Sequence, residues 1–415
     1  MRDFVQKNFK GDPIVWTIFF LLIVISAVEM YSASSSLAFK QSDYNLPVWR
    51  HILFLGGGFC IAFAVHIMPY KWFPKIGALL LPFSIGLLSV TLMMGVDLNN
   101  AKRWFGIGIF QFQPSEFAKL AVIIILALIL GRKQQEKQPA DDAYNLSMII
   151  LAVTSLLIIP ENFSTGILIF FVGLLMMFFG RVSLKKLGIT FGVIVSLCLL
   201  LYFVAPYVPD VKPFHRLSTW QERVDDFLFK EKLNILHATE AEIKAFIENN
   251  YQVAHSKMAI ANSNIIGRFL GNSIERDFLP QAYSDFIYAI IIEETGLLGA
   301  IFVMLLYLIL LFRAGVIANK CPSAFPALLV LGLTSMIVIQ AFLNMAVAVG
   351  LVPVTGQPLP MISRGGTSII ITSIYFGIIL SVSRYIKENN QKQETQEEDT
   401  QEQETPEVEI KTIAV

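Results

Sequence analysis

The chain has 415 residues, of which 55% are hydrophobic and only 15% charged, and its acidic and basic side chains balance at 32 each. Soluble globular domains carry about a quarter charged residues, so this composition, with a mean hydropathy of +0.61, excludes a soluble fold. Apolar runs long enough to cross a bilayer recur along the chain and are continuous rather than alternating, which indicates a polytopic all-α membrane protein and not a β-barrel.

The apolar runs predict about ten transmembrane helices, of which the fifth and sixth are short and tightly joined. Lys and Arg concentrate in one set of connecting loops, so both termini are expected on the cytoplasmic side. One large external loop then separates spans 7 and 8. The expected spans are about 14–34, 49–67, 74–95, 114–131, 146–160, 164–180, 186–206, 285–312, 326–350 and 364–384.

These runs divide the chain into a cytoplasmic N-terminus (1–13), spans 1–7 (14–206), the external loop (207–284), spans 8–10 (285–386) and a tail (387–415). Within the external loop, Asp225 to Asn250 has helical periodicity and mixed charge, which predicts an amphipathic surface helix. The tail is rich in Glu and Gln and poor in apolar residues, which predicts a disordered acidic segment.

The first polar cluster on the predicted outer side precedes and opens span 4. Lys102, Arg103 and Trp104 form a cationic patch with an aromatic ring, which suits either an interfacial anchor or the binding of an anionic headgroup. Glu116 and Lys119 stand three residues apart on one helix face, so they can pair. Such a pair either neutralises itself within the membrane or lines a polar cavity.

The second cluster contains a lone carboxylate, Asp285, where the external loop enters span 8. Ser284 is a candidate N-cap, which would place Asp285 in the first helical turn. Asp285 is therefore either an acid that stabilises a helix start or a functional group, because ionisable residues at membrane depth are costly. Glu293 and Glu294 follow two turns later, and at least one of them should face the bundle.

The third cluster lies in the external loop before span 10, where Ser363 and Arg364 precede two glycines. Glycines beside hydroxyl side chains at a helix start suit either an anion site or close helix packing. The five histidines and three cysteines lack metal-ligand spacing, and no phosphate-binding glycine loop is present. Together the clusters predict an outward-facing polar cavity for an anionic lipid-linked substrate, with no nucleic-acid partner.

At this point the residues resemble the SEDS family of membrane peptidoglycan polymerases, to which RodA and FtsW belong. The resemblance extends over about 12–386 with the motifs in family order. The matching motifs are Arg103-Trp104-Phe105, Gln113-Pro114-Ser115-Glu116-Phe117-Ala118-Lys119-Leu120, Tyr251-Gln252, Leu279-Pro280, Ser284-Asp285-Phe286-Ile287, Glu293-Glu294, Leu359-Pro360, Ser363 and Gly365-Gly366.

The resemblance implies a glycosyltransferase that polymerises lipid II at the outer face of the cytoplasmic membrane, and Thr355–Pro360 and the charged tail favour the septal FtsW type over RodA. It makes Asp285 the catalytic residue and Trp104 essential, and it places Glu116 and Lys119 in the central cavity. Lys102, Arg103, Ser363 and Arg364 are the other expected substrate contacts. A divalent cation (Mg²⁺ or Mn²⁺) is an alternative to these cations at the pyrophosphate.

The implied partners are lipid II and the growing glycan strand, a class B penicillin-binding protein, other divisome proteins and membrane lipids. Three departures from the family pattern stand out: Pro160-Glu161-Asn162 replaces Pro-Asp, Arg364 replaces a tyrosine, and the segment 225–249 is longer. A lipid II flippase, a RodA-like elongation polymerase and a non-catalytic scaffold are the competing hypotheses.

Overall fold

The structure is a computed structural model, and it describes residues 9–33, 46–98, 101–107, 110–134, 141–207, 215–228, 239, 251–279 and 283–404. Twelve helices longer than one turn and three short strands occupy these ranges. In chain order they are α1 (Pro13–Ala33), α2 (Leu46–Ile67), α3 (Phe73–Met94), β1 (Val96–Leu98), β2 (Ala101–Ile107), β3 (Phe110–Phe112), α4 (Pro114–Lys133), α5 (Asp141–Ile158), α6 (Phe163–Phe179), α7 (Leu184–Val204), α8 (His215–Leu228), α9 (Tyr251–Asn262), α10 (Ile287–Asn319), α11 (Ala324–Ala348) and α12 (Gly366–Glu404).

The predicted fold class is confirmed. Within the described ranges, eight helices are long and apolar enough to cross a membrane, namely α1, α2, α3, α4, α7, α10, α11 and α12. The fifth and sixth predicted spans correspond to α5 and α6, which are apolar but shorter. Pro114 starts α4, as expected for a residue whose missing N–H is harmless in the first turn.

The helices α4, α11 and the first part of α12 form the centre of the bundle, whereas α7 is exposed along most of its length. The apolar face of α12 packs mainly against α2, and α10 packs mainly against α11. Residues 349–365, called here the 349–365 loop, join α11 to α12. The packing of these two helices holds the 349–365 loop directly over the bundle centre. The loop is the scaffold of the site described below.

Three predictions about local structure were incomplete or wrong. The connection between α3 and α4, expected as a loop, forms a three-stranded antiparallel sheet in the order β1-β2-β3. An amphipathic helix occupies His215–Leu228, so helix begins before the predicted Asp225, and most of 225–249 falls outside the described residues. The tail is helical through Glu404, where no Gly or Pro interrupts its good helix formers, and 405–415 lies outside the described residues.

Span 8 is broken, which the continuous apolar run did not predict. Gly296 has φ 72° and ψ −170° inside α10, so the helix is interrupted one turn after Glu293 and Glu294. The external segment Ser263–Phe278 is hydrogen-bonded to this break, with Arg268 N donating to Glu293 O at 2.9 Å. Both carboxylates are fully buried, which confirms the expectation that at least one faces the bundle.

Glu293 fixes the external segment to the bundle. Its carboxylate accepts hydrogen bonds from Ser273 Oγ at 2.5 Å, from Ile274 N at 3.1 Å and from Glu275 N at 3.3 Å. Three donors satisfy a buried carboxylate that would otherwise carry a large desolvation cost. The segment that leads to Asp285 is thereby anchored on the same helix that follows Asp285.

Candidate active site

Asp285 lies in a turn, Tyr283–Phe286, immediately before α10. The predicted N-cap role of Ser284 is wrong, because α10 begins at Ile287 and Phe286 occupies the N-cap position without a side-chain hydrogen bond. Instead, Ser284 Oγ donates to Asp285 Oδ1 at 2.9 Å. The carboxylate is therefore held by its neighbour's hydroxyl group and lies outside the helix, partly accessible to solvent.

The backbone of this turn is held by the loop before α12. Ser363 is buried, and its Oγ donates to Ser284 O at 2.6 Å while accepting from Leu359 N at 2.7 Å. Arg364 N donates to Tyr283 O at 2.8 Å, and its guanidinium lies 5.0 Å from the Tyr283 ring centre. Both predicted residues thus contact the turn that carries Asp285, and any direct contact with substrate remains a prediction.

A second support comes from two amide side chains that sequence reasoning missed, Asn344 on α11 and Gln357 in the 349–365 loop. Asn344 Nδ2 donates both to Asp285 O at 2.9 Å and to Gln357 O at 2.8 Å. Gln357 Nε2 in turn donates to Thr165 Oγ1 of α6 at 2.8 Å. This chain of hydrogen bonds connects α6, the 349–365 loop, α11 and the Asp285 turn.

Glu116 and Lys119 form the predicted pair. Their charged atoms lie 2.7 Å apart, and their side chains are only 6% and 2% exposed. Lys119 Nζ also donates to Gln340 Oε1 at 3.0 Å, and Gln340 Nε2 donates to Pro358 O at 2.9 Å. The pair therefore lies beneath the 349–365 loop and supports it through Gln340. Neither Glu116 nor Lys119 lines the cavity beside Asp285.

A cavity opens beside the Asp285 turn, between β2, the start of α6, α8 and the 349–365 loop. Gly356, with φ +65°, follows the lining residue Thr355 and lies next to the carboxylate, since a Cβ there would be in ordinary van der Waals contact at 3.6 Å from Asp285 Oδ2. The lining residues are Arg103, Glu161, Asn162, Phe163, Ser164, Thr219, Trp220, Arg223, Val224, Pro353, Val354 and Thr355.

Two guanidinium groups act on Asp285 from this cavity. Burial raises the pKa of the Asp285 carboxyl above its ordinary value, whereas the Ser284 hydrogen bond and the guanidiniums of Arg103 and Arg223 lower it. Burial has the largest effect, so the net pKa is raised. Arg223 was missed, although its spacing from Trp220 on an amphipathic helix would have placed both on one face.

The remaining residues that the sequence singled out lie on three different elements. Glu161 and Asn162 follow Pro160 at the position of the family's Pro-Asp motif, and both line the cavity. Asn162 Oδ1 also caps α6 by accepting from Thr165 N at 3.2 Å. Trp104 follows Arg103 on β2, so the two side chains point to opposite faces of the strand. The side chain of Lys102 lies outside the described part of the structure.

The residues around Asp285 do not fit a divalent cation. Asp285 faces Arg103 and Arg223, whose positive charges would repel a metal ion at the carboxylate. In the described ranges, no three side chains of the His, Cys, Asp or Glu type come together as metal ligands.

The fold and the site together define a polytopic α-helical membrane protein in which two guanidinium groups act electrostatically on one carboxylate beside an extramembrane cavity. The chain belongs to the FtsW/RodA/SpoVE family of cell cycle proteins, whose family model matches residues 12–388. This membership confirms the resemblance on which the site residues were predicted.

Relatives and solved structures agree with the family. The probable peptidoglycan glycosyltransferase FtsW of Marinobacter nauticus is 33% identical over 87% of this chain and 85% of its own length. Stage V sporulation protein E of Bacillus subtilis is 29% identical over 91% of this chain and 98% of its own length. One chain from a structural study of polymerization and crosslinking by a peptidoglycan synthase complex has 25% identity, a TM-score of 0.69, and coverage of 91% and 98%.

RodA of Thermus thermophilus has the same fold. Its TM-score with this chain is 0.62 at 21% identity, with 90% of this chain and 97% of that chain covered. At this identity the likeness concerns the arrangement of the helices and not the activity.

Proposed function

We propose that the chain is a peptidoglycan glycosyltransferase that polymerises lipid II, with Asp285 as the general base. The observation that carries this proposal is a part-buried carboxylate, oriented by Ser284, that faces Arg103 and Arg223 beside a cavity on the extramembrane side. The names of its relatives, which are probable peptidoglycan glycosyltransferases, support the same reaction class.

The proposed reaction needs one base and a stabilised leaving group. The Asp285 carboxylate takes the proton from the incoming sugar 4-hydroxyl, whose oxygen attacks C1 of the lipid-linked sugar. The bond from C1 to the pyrophosphate oxygen breaks, and the leaving undecaprenyl pyrophosphate takes the electron pair. Attack from the opposite face inverts C1, so an α-linked donor gives a β-linked glycan.

A second carboxylate is unnecessary in this scheme. Glycosidases need an acid because a sugar alkoxide leaves poorly, whereas pyrophosphate leaves as a stable anion. The guanidinium of Arg103 can stabilise the negative charge that develops on the pyrophosphate, because charge-assisted bidentate contacts to phosphate are strong. Burial keeps the pKa of Asp285 above its ordinary value, which makes the carboxylate a stronger base than an exposed aspartate.

We further propose an FtsW-type septal role in the cytoplasmic membrane, with a class B penicillin-binding protein as partner. The similar chain from a peptidoglycan synthase complex supports a partner of this kind. The Thr355–Pro360 segment, by resemblance, favours the septal type. A fluorescent fusion that labels the lateral wall and not the division site would instead favour the RodA-type role.

A lipid II flippase is the alternative from another functional class. Headgroup passage needs polar side chains along an open route through the bundle, whereas polymerisation needs them only near one face. Glu116 and Lys119 form a buried ion pair beneath the 349–365 loop, and Lys119 also donates a hydrogen bond to Gln340. These contacts occupy the polar groups at this position and disfavour an open polar route through the bundle.

Reconstitution tests the proposal directly. The purified full chain, with its class B penicillin-binding protein partner and labelled lipid II, is expected to form long glycan products on gels, and the partner alone is expected to form none. If liposomes that contain only this chain translocate lipid II while no condition yields polymer, the flippase replaces the polymerase.

The pH dependence of polymerisation reports on the Ser284 hydrogen bond. Ser284→Ala removes a contact that lowers the pKa of Asp285, so that pKa rises further. Because the base acts in its deprotonated form, the acidic limb of the rate profile is expected to move to higher pH. Ser284→Thr keeps the hydroxyl group and should retain the wild-type profile, and an unmoved limb in Ser284→Ala would contradict the assignment.

A further inference from the structure

The external helix α8 forms one wall of the cavity beside Asp285. Its residues Thr219, Trp220, Arg223 and Val224 share a face and all line the cavity. The opposite wall comes from the start of α6, where Phe163 follows the capping residue Asn162. No motif of the resembled family includes these α8 residues, so their role must be argued from their contacts.

The aromatic rings of Phe163 and Trp220 form part of the cavity wall. The Trp220 and Phe163 ring centres lie 4.5 Å apart with an interplanar angle of 44°. Tyr202, at the end of α7, packs edge-on against Trp220 with ring centres 6.2 Å apart. Tyr202 is itself tied to α8, because its hydroxyl donates to Asp225. Trp220 is thus held from two sides while part of its surface stays exposed to the cavity.

Two cationic side chains line the cavity and act electrostatically on Asp285. Arg223 Nη1 donates to Val354 O at 3.0 Å, which holds the Arg223 guanidinium against the 349–365 loop. Arg103 reaches the same cavity from β2, and both guanidiniums interact electrostatically with the Asp285 carboxylate. Only Glu161 adds an opposite charge to the lining residues.

We propose that this cavity is a binding site for a glycosyl phosphate, in which the Trp220–Phe163 rings take the apolar face of a sugar ring and Arg223 with Arg103 takes the attached phosphate. This inference rests on the proposed polymerase function and assigns its donor-sugar site. Aromatic walls with a few convergent polar groups are typical of sites for small organic ligands, and guanidinium groups match phosphate oxygens.

The arrangement also sets the direction of the donor. A phosphate held between Arg103 and Arg223 leaves the attached sugar ring towards Trp220, which lines the same cavity one helical turn before Arg223. Arg223 acts here as a binding residue that also positions the charge around the base.

Binding measurements with two probes test the two halves of the site separately. In the Asp285→Asn background, which prevents turnover, lipid II and undecaprenyl pyrophosphate are each titrated onto the full chain in nanodiscs. Trp220→Leu is expected to weaken lipid II binding about tenfold and to leave undecaprenyl pyrophosphate, which lacks the sugar, within about twofold. Arg223→Gln is expected to weaken both about tenfold or more, as loss of a charge-assisted contact predicts.

Matched variants control for folding. Trp220→Phe keeps an aromatic ring and should bind lipid II nearly as the parent does, and Glu222→Gln changes an exposed neighbour on the same helix and should change neither affinity. Equal effects of Trp220→Leu on both probes would overturn the sugar assignment, and unchanged affinities in Arg223→Gln would overturn the phosphate assignment. Failure of the wild-type chain to polymerise would count against the proposed function alone, because binding is measured without turnover.

Discussion

Asp285→Asn is expected to abolish glycan synthesis from lipid II. Asparagine preserves the shape of the side chain and can still accept the hydrogen bond from Ser284, but it cannot take a proton from the attacking hydroxyl group. Loss of a positioned general base lowers rates by about 10²–10⁴-fold, which would bring product below detection in a gel assay. The measurement is polymer formed from labelled lipid II by equal amounts of folded protein.

Glu222→Gln provides a matched control, because it removes a carboxylate from the same extramembrane region at an exposed position away from the cavity lining. It should retain wild-type activity. Undiminished polymerisation by Asp285→Ala would refute the assignment of Asp285 as the base, since alanine can neither accept a proton nor order a water in the same place.

Gly296→Ala is expected to destabilise the protein strongly. With φ 72° and ψ −170°, Gly296 occupies a backbone region that only glycine adopts without strain. An added Cβ would also lie 2.3 Å from Ile265 O and 2.5 Å from Gly267 N, which are backbone atoms that cannot rotate away. Strain and clash together predict a loss of about 3 kcal/mol or more. Thermal unfolding in detergent, followed by fluorescence, measures this loss.

Two other glycines separate the causes. Gly315 lies in the same helix with open space around it, so Gly315→Ala should be neutral or slightly stabilising. Gly271 has φ +85° and open space, so Gly271→Ala isolates the backbone strain without the clash. A Gly296→Ala variant as stable as Gly315→Ala would show that the break in α10 is absent from the folded protein.

The sequence predicted the spans because bilayer thickness imposes a length that apolar runs reveal directly. It also predicted the pairing of Glu116 with Lys119, since a spacing of three residues on a helix is a local relation. Ser363 and Arg364 were predicted as substrate contacts, and their contact with the Asp285 turn was not predicted, because their partners Ser284 and Tyr283 are about eighty residues away along the chain.

The rest depended on contacts that sequence patterns do not encode. Asn344 lies in an apolar run where one amide is unremarkable, and only the fold brings it to Asp285 O. Gly296 is compatible with a helix by composition, and only the approach of Ile265 and Gly267 explains its extended, positive-φ backbone. The start of α8 at His215 lies before the predicted start at Asp225, and most of the predicted helix beyond Leu228 falls outside the described residues.

The unbroken helix at the end of the chain has a mechanical consequence. From Lys387 to Glu404 it carries seven carboxylates and two lysines, and eighteen helical residues extend about 27 Å. The cytoplasmic leaflet is negatively charged, so an acidic rod is repelled from its surface. With the C-terminus on the predicted cytoplasmic side, α12 would continue from the centre of the bundle as a stiff spacer, and a load applied at its far end would reach the helix that follows the Ser363 loop.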